Sequence, residues 1–226
     1  MEKMMSGFYN VSEWIARFAV ANVLWLIFTF PFGIVVVNVV LVDSYSFSLP
    51  IIVYLSLCFP LLVFPATTAL FAVSRDWVIG QDQDNIIKNY WKYYKENYKT
   101  SVKIGVVLTI AWIVTIGDIY YFQNTIPVIM YFFIGLGLLL FVVSIHAFSV
   151  MAHFNIRVLD VMKKALLFSV VKPQISLFLI IVTAMILFVS INYLRFLLLF
   201  FSFSFISFIA TSLFLKMYSL FSIKKS

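Results

Sequence analysis

The sequence predicts an all-α, polytopic integral membrane protein with six transmembrane helices and two amphipathic interfacial helices on the cytoplasmic side. Three observations carry that prediction. Apolar residues fill 64% of 226 positions and charged residues only 11%, whereas a soluble domain carries about 25% charge and under 50% apolar residues. At a mean hydropathy of +1.07 the chain lacks the polar surface to coat a soluble globule, and lipid is the solvent that suits it. Six apolar stretches are long enough to cross a ~30 Å hydrocarbon layer, which takes ~20 helical residues. The cations then segregate to one side of the resulting topology.

The spans fall at about 18–42, 49–74, 101–121, 126–152, 174–193 and 196–220. The last pair is a tight hairpin: only Asn192, Tyr193 and Arg195 interrupt the apolar run from Ile175 to Phe214, which is too long for one helix. Five spans, with one long tilted helix there, is the alternative. The longest mostly polar run, Arg75 to Lys103, is too short to bury a core of its own, so 1–226 reads as one domain. The first apolar segment has no small-x-small cleavage site and is expected to stay as a span. Cys58 is the single cysteine, which excludes an intrachain disulfide.

Orientation follows from Lys and Arg placement. Lys3, Arg17, Arg75, Lys88, Lys92, Lys95, Lys99, Lys103, Arg157, Lys163, Lys164, Lys172, Lys216, Lys224 and Lys225 share one side, and Arg195 stands alone on the other. The bias puts both termini and the two long loops in the cytoplasm. It also accounts for the net charge of +7 without a nucleic-acid partner, because these cations face anionic lipid headgroups.

Both cytoplasmic loops read as surface-lying helices. In Asp84–Thr100, Ile87, Trp91, Tyr94 and Tyr98 recur at helical spacing beside a face of Lys88, Lys92, Lys95 and Lys99. In 156–171, Ile156, Leu159, Met162, Leu166 and Val170 oppose Arg157, Lys163 and Lys164. The two loops end in Lys99 and Lys172, a spacing that hints at a duplicated span–amphipathic helix–span unit. Each loop has two readings: a passive lipid anchor, or a docking helix with Trp91, Tyr94 and Tyr98 as candidate partner anchors.

Enzymatic motifs are missing. The sequence has no phosphate-cradling glycine loop, no paired metal-ligand spacing and no Gly-x-Ser-x-Gly, so it predicts no enzyme, no cofactor, no metal and no ATPase within this chain. Intramembrane ionisable groups are functional candidates by default. Asp118 lies ~26 Å along its helix from Ser101 and His146 ~10 Å from His153, so the two differ too much in depth to exchange a proton. A candidate polar cluster joins Asn22, Pro65, Thr67, Thr68 and His146, with Pro60 nearby, at comparable depth in the inner half of the membrane. Each proline removes a helical N–H and frees a carbonyl, and the Thr hydroxyls and the Asn22 amide are suited to meet such carbonyls. The cluster is either helix-packing glue or the lining of a ligand or ion site.

The residues also carry a resemblance. Asn22-Val23-Leu24-Trp25, Phe64-Pro65-Ala66-Thr67-Thr68-Ala69-Leu70-Phe71, Arg75-Asp76-Trp77-Val78-Ile79-Gly80 and Asn89 through Lys99 are similar to the YesL-like family of bacterial integral membrane proteins, over roughly 15–120. The resemblance implies association with carbohydrate utilisation and a non-enzymatic accessory role, acting on the permeases or the ATPase of a binding-protein-dependent oligosaccharide importer. The alternative is a small secondary transporter with its polar site in the inner half of the membrane.

Overall fold

The computed structural model describes residues 2–41, 48–81 and 85–223. Residue 42 at the end of the first expected span, Asp84 at the start of the first interfacial helix, Lys224, Lys225 and the side chain of Lys3 lie outside the described residues. Among the described residues every regular element is helical. In chain order these are α1 (Glu2–Leu41), α2 (Leu49–Cys58), a π turn (Phe59–Val63), α3 (Phe64–Ile79), α4 (Ile86–Phe122), α5 (Pro127–His153), α6 (Val158–Val171), α7 (Pro173–Asn192), α8 (Arg195–Phe200) and α9 (Ser202–Ile223). Six stretches are long and apolar enough to cross a membrane: Val11–Val39, Leu49–Ile79, Ile86–Phe122, Pro127–His153, Pro173–Asn192 and Ser202–Ser219. The protein is an all-α polytopic membrane protein, with lipid as the solvent of its outer surface.

Local chemistry accounts for the helix limits. Prolines open α2, α5 and α7 within the first turn, where the missing N–H costs nothing. Gly80 ends α3 in the left-handed region at φ 68°, with the Gln81 N–H returning to the Asp76 carbonyl at 3.0 Å. The Asn85 side chain accepts from the Lys88 N–H at 3.0 Å and caps α4. Between α2 and α3, Pro60 and Pro65 each deprive the ladder of a donor, and the backbone answers with a π turn. Gly105 of α4 sits against that turn. A Cβ there would meet Phe64 Cγ at 2.8 Å and Pro60 Cα at 3.0 Å, so glycine is what lets the two backbones come this close.

Two elements differ from the sequence reading. The interfacial helix expected over 84–100 has no boundary with the third span; both belong to α4, because Thr100 and Ser101 carry no glycine or proline to stop the helix. This arm of α4 nevertheless crosses the bundle as an in-plane helix would. Tyr90 donates to the Ala66 carbonyl at 2.8 Å and Ser101 to Thr68 Oγ1 at 2.9 Å. Tyr90 and Ser101, about 16 Å apart on α4, thus meet α3 two residues apart, while Tyr93 between them reaches Asp76, so the arm slants across α3. The stretch expected as one span over 196–220 is instead divided at Phe201 into α8 and α9.

The stretch 156–171, expected as the second interfacial helix, forms α6 (Val158–Val171), which packs against α5 and α9. Its Val161, Ala165 and Phe168 are buried in one cluster with Val143, Ala147 and Val150 of α5 and Phe214 and Met217 of α9. Leu159, Leu166, Leu167 and Val170 form its exposed apolar side.

Candidate functional site

The expected polar cluster resolves into separate helix-to-helix ties. Asn22 is wholly buried on α1. Its Nδ2 donates to the carbonyls of Leu198 (3.1 Å) and Leu199 (2.7 Å), and its Oδ1 accepts from the N–H groups of Phe203 (2.9 Å) and Ser204 (3.1 Å). One side chain therefore satisfies the last carbonyls of α8 and the first amides of α9, groups that a helix break leaves without partners. Ser202 completes the junction, donating to the Leu197 carbonyl at 3.0 Å and sharing a 2.7 Å hydrogen bond with Ser190 of α7.

Thr67 and Thr68 point to different neighbours. Thr67 Oγ1 accepts from the Trp25 indole N–H at 3.0 Å and donates to the Val63 carbonyl at 2.7 Å, which ties α3 to α1. Thr68 Oγ1 accepts from Ser101 at 2.9 Å and donates to the Phe64 carbonyl, which ties α3 to α4. The threonines thus serve the carbonyls four residues before them, not those that Pro60 and Pro65 free. Asn22 does meet freed carbonyls, but those of the α8–α9 break. Pro65 is buried at the start of α3.

His146 stands apart. It is fully buried on α5, with the Phe168 and Phe214 rings each 6.4 Å from its own, and neither ring nitrogen has a hydrogen-bond partner. Among the described residues no hydrogen bond joins any two members of the expected cluster. Their geometry is that of packing glue between helix pairs.

The candidate docking residues lie on the α4 arm. Phe28 of α1 sits 4.6 Å from the Tyr94 ring and 5.5 Å from Trp91, and Tyr94 continues to Tyr98 at 5.6 Å. Tyr94 and Tyr98 are therefore half-buried by their own neighbours. Trp91 remains 46% exposed and Ile87 59%, flanked by exposed Lys88, Lys92, Lys95 and Lys99. The Lys95 ammonium lies 4.5 Å from the Trp91 ring centroid, a cation–π contact that holds this indole on the open side of the arm.

Sequence reasoning passed over the buried face of the same arm. Tyr93 donates to Asp76 Oδ2 at 2.5 Å, and Arg75 binds Asp76 Oδ1 through Nε at 3.0 Å and Nη2 at 2.6 Å. The Arg75 Nη1 donates to the Ala152 carbonyl at the end of α5, and its guanidinium lies 5.3 Å from the Tyr93 ring. Asp76 is only 4% exposed, and a buried carboxylate is tolerable when it is paired and hydrogen-bonded in this way. The Arg-Asp pair ending α3 and the tyrosines at 90 and 93 were the signal, at positions three apart on one helix face.

Compared with known proteins, residues 18–119 match the family described as Protein of unknown function, DUF624. The chain is 30% identical to Uncharacterized protein YteU of Bacillus subtilis (strain 168) over 199 residues, which is 87% of this chain and 78% of that one. This chain belongs to the DUF624 family. It is also 24% identical to Uncharacterized protein YesL of the same organism over 217 residues, 96% of this chain and 91% of that one, so the expected YesL-like relationship holds. No solved structure matches it. The DUF624 match takes in Asn22, the proline–threonine segment, the Arg75–Asp76–Tyr93 lock and the whole arm of α4, whereas His146 and the α8–α9 junction that Asn22 secures lie beyond it.

Proposed function

We propose that this DUF624 protein is a non-enzymatic accessory protein of a bacterial cell membrane, with both termini and the α4 arm in the cytoplasm, that assembles with or regulates a binding-protein-dependent oligosaccharide importer. One observation carries the docking half of this reading. On an arm whose tyrosines are engaged in the bundle, Ile87 and Trp91 stay open among four lysines, an aromatic anchor with a cationic rim of the kind that protein interfaces use. The four hydrogen-bonding side chains around the proline segment and the α8–α9 junction are already engaged in helix ties, which supports an assembly role over a solute site. The importer as partner rests on the family resemblance set out from the sequence.

Affinity purification of the tagged protein in mild detergent tests it. The importer's permeases or ATPase are expected to co-purify, and Trp91→Ala combined with Ile87→Ala to reduce their recovery at least tenfold without lowering the yield of the protein itself. If no importer component is recovered and oligosaccharide uptake survives deletion of the gene, the reading is wrong.

A second reading, a small secondary transporter, draws on the unpartnered His146. It requires solute flux into reconstituted liposomes that Thr67→Val plus His146→Ala abolishes.

A further inference from the structure

Hydropathy allows six crossings, but the hydrogen bonds between helices fix heights, and heights decide what crosses. Trp25 of α1 bonds Thr67 of α3, Thr68 bonds Ser101 of α4, and Ser101 reaches Met151 Sδ of α5 at 3.9 Å. These positions, on four helices, therefore share one level. From that level the helices run on to Leu41, Leu49, Phe122 and Pro127, about 24–36 Å at 1.5 Å per residue. That is one hydrocarbon layer. The outward parts of these helices expose Ile34, Val37, Ile113, Val114, Ile116, Leu136 and Leu139, and so need lipid around them.

Helix α9 does not climb through this layer. Its first turn is held by Asn22, three residues from Trp25. Ser207 shares a 2.7 Å hydrogen bond with Ser74 of α3. Phe214 lies 6.4 Å from His146 and 6.3 Å from His153 of α5, ring to ring. Within eleven residues, about 16 Å, α9 touches α1, α3 and α5: Phe205 and Phe208 pack on Phe18 and Trp14 of α1, and Ser74 lies about 9 Å along α3 from Thr68, so α9 slants across three posts instead of running alongside one of them. The far end of α7 is pinned there too, by the Ser190–Ser202 hydrogen bond. The near end of α7 shares a crevice of about 450 Å³ with Leu138, Leu139 and Val142 of α5. Leu138 to Val142 lie about 14–20 Å along α5 from Met151, although α7 itself is about 30 Å long. So α7 lies strongly tilted, and the turn bearing Asn192, Tyr193 and Arg195 sits at the level of Asn22.

We propose that α7 and α9 do not cross the bilayer: with α6 and α8 they lie in its cytoplasmic leaflet, and the Arg195 turn faces the anionic headgroups there. The α4 arm runs across α3 at the same level, so only α1, α2–α3, α4 and α5 cross. The charge pattern agrees. A six-span path leaves Arg195 as the lone exception among sixteen Lys and Arg, and a four-span path removes the exception. The exposed Leu177, Phe178, Ile181, Met185 and Phe188 of α7 give it an apolar surface suited to burial at the acyl boundary.

Cysteine accessibility decides between the paths. In the full-length chain with Cys58→Ala, single cysteines replace Tyr193, Asn192, Asn124 in the α4–α5 turn, and Lys88. Tyr193→Cys leaves Arg195 in place, so the charge that orients the turn is kept. A membrane-impermeant maleimide is applied to spheroplasts and to inverted vesicles. Y193C and N192C are expected to react as K88C does, at least tenfold faster in inverted vesicles, and N124C with the opposite preference. Reaction of Y193C or N192C in spheroplasts overturns the proposal. So does failure of both to react from either side, because a turn at the headgroups is reachable from the cytoplasm.

Discussion

The outward halves of the long helices and the zone where the helices cross are two different materials. On α2 no residue is buried; past Thr109, α4 buries only Thr115; and before Val142, α5 buries only Gly137. In the crossing zone nearly every turn of α3 is buried, and polar side chains bridge α1, α3, α4, α5, α7, α8 and α9. The outward halves need little from one another. Their backbones are satisfied within each helix and their side chains by lipid. The crossing zone holds broken helices and in-plane segments whose backbone ends need outside partners, and there side-chain hydrogen bonds decide whether the structure forms.

That contrast breaks most severely at Asn22. Asn22→Leu leaves two carbonyls and two amides of the α8–α9 junction without partners, each costing about 1–3 kcal/mol when buried. A loss of about 3–5 kcal/mol is expected, read as a lowered unfolding midpoint in mild detergent. A loss under 1 kcal/mol would mean that α8 and α9 find other partners unaided. A glycine pair sharpens the boundary between the two regions. Gly105→Ala pushes a methyl group into Phe64 and the Pro60 backbone and is expected to cost about 1–3 kcal/mol. Gly117→Ala, on the outward half of the same helix with nothing within 4 Å, is expected to stabilise by about 0.5–1 kcal/mol through helix propensity alone. Equal effects at the two sites would erase the distinction. The buried face of the α4 arm gives a further comparison in Tyr93→Phe, which removes the hydroxyl from Asp76 but leaves Arg75 paired to it. About 1–2 kcal/mol is expected from the same denaturation midpoint, with hydrogen exchange rising in the α4 arm and not beyond Thr109.

Much of this was legible in the sequence, and the limits are physical. Summed hydropathy suffices to find Leu49–Ile79 or Pro127–His153, since the transfer of a segment into lipid depends on its composition and not on its neighbours. The lysine and aromatic rhythm of 84–100 likewise announced a helix. Its fusion to the third span was not announced, since a change of composition from polar to apolar is not a helix breaker. The α8–α9 break was hidden for the opposite reason: Arg195–Ile223 contains no glycine or proline, and the partner that makes the break tolerable, Asn22, lies far away on α1. Asn22, Thr67 and Thr68 stand out in the sequence as polar groups that need partners in lipid. Which carbonyl each one meets is a tertiary fact.

The π turn has one more consequence. Widening a helix by a residue shifts the facing of everything beyond it by about 100°, the angle between neighbouring side chains on an α-helix. Leu49–Cys58 and Phe64–Ile79 therefore look in different directions although they form one continuous rod. Tyr54, whose hydroxyl donates to the Pro31 carbonyl at 3.2 Å, owes its heading to that offset. Removing a single residue from 59–63 would swing Tyr54 by that angle away from α1, a change of azimuth with almost no change in length or hydrophobicity.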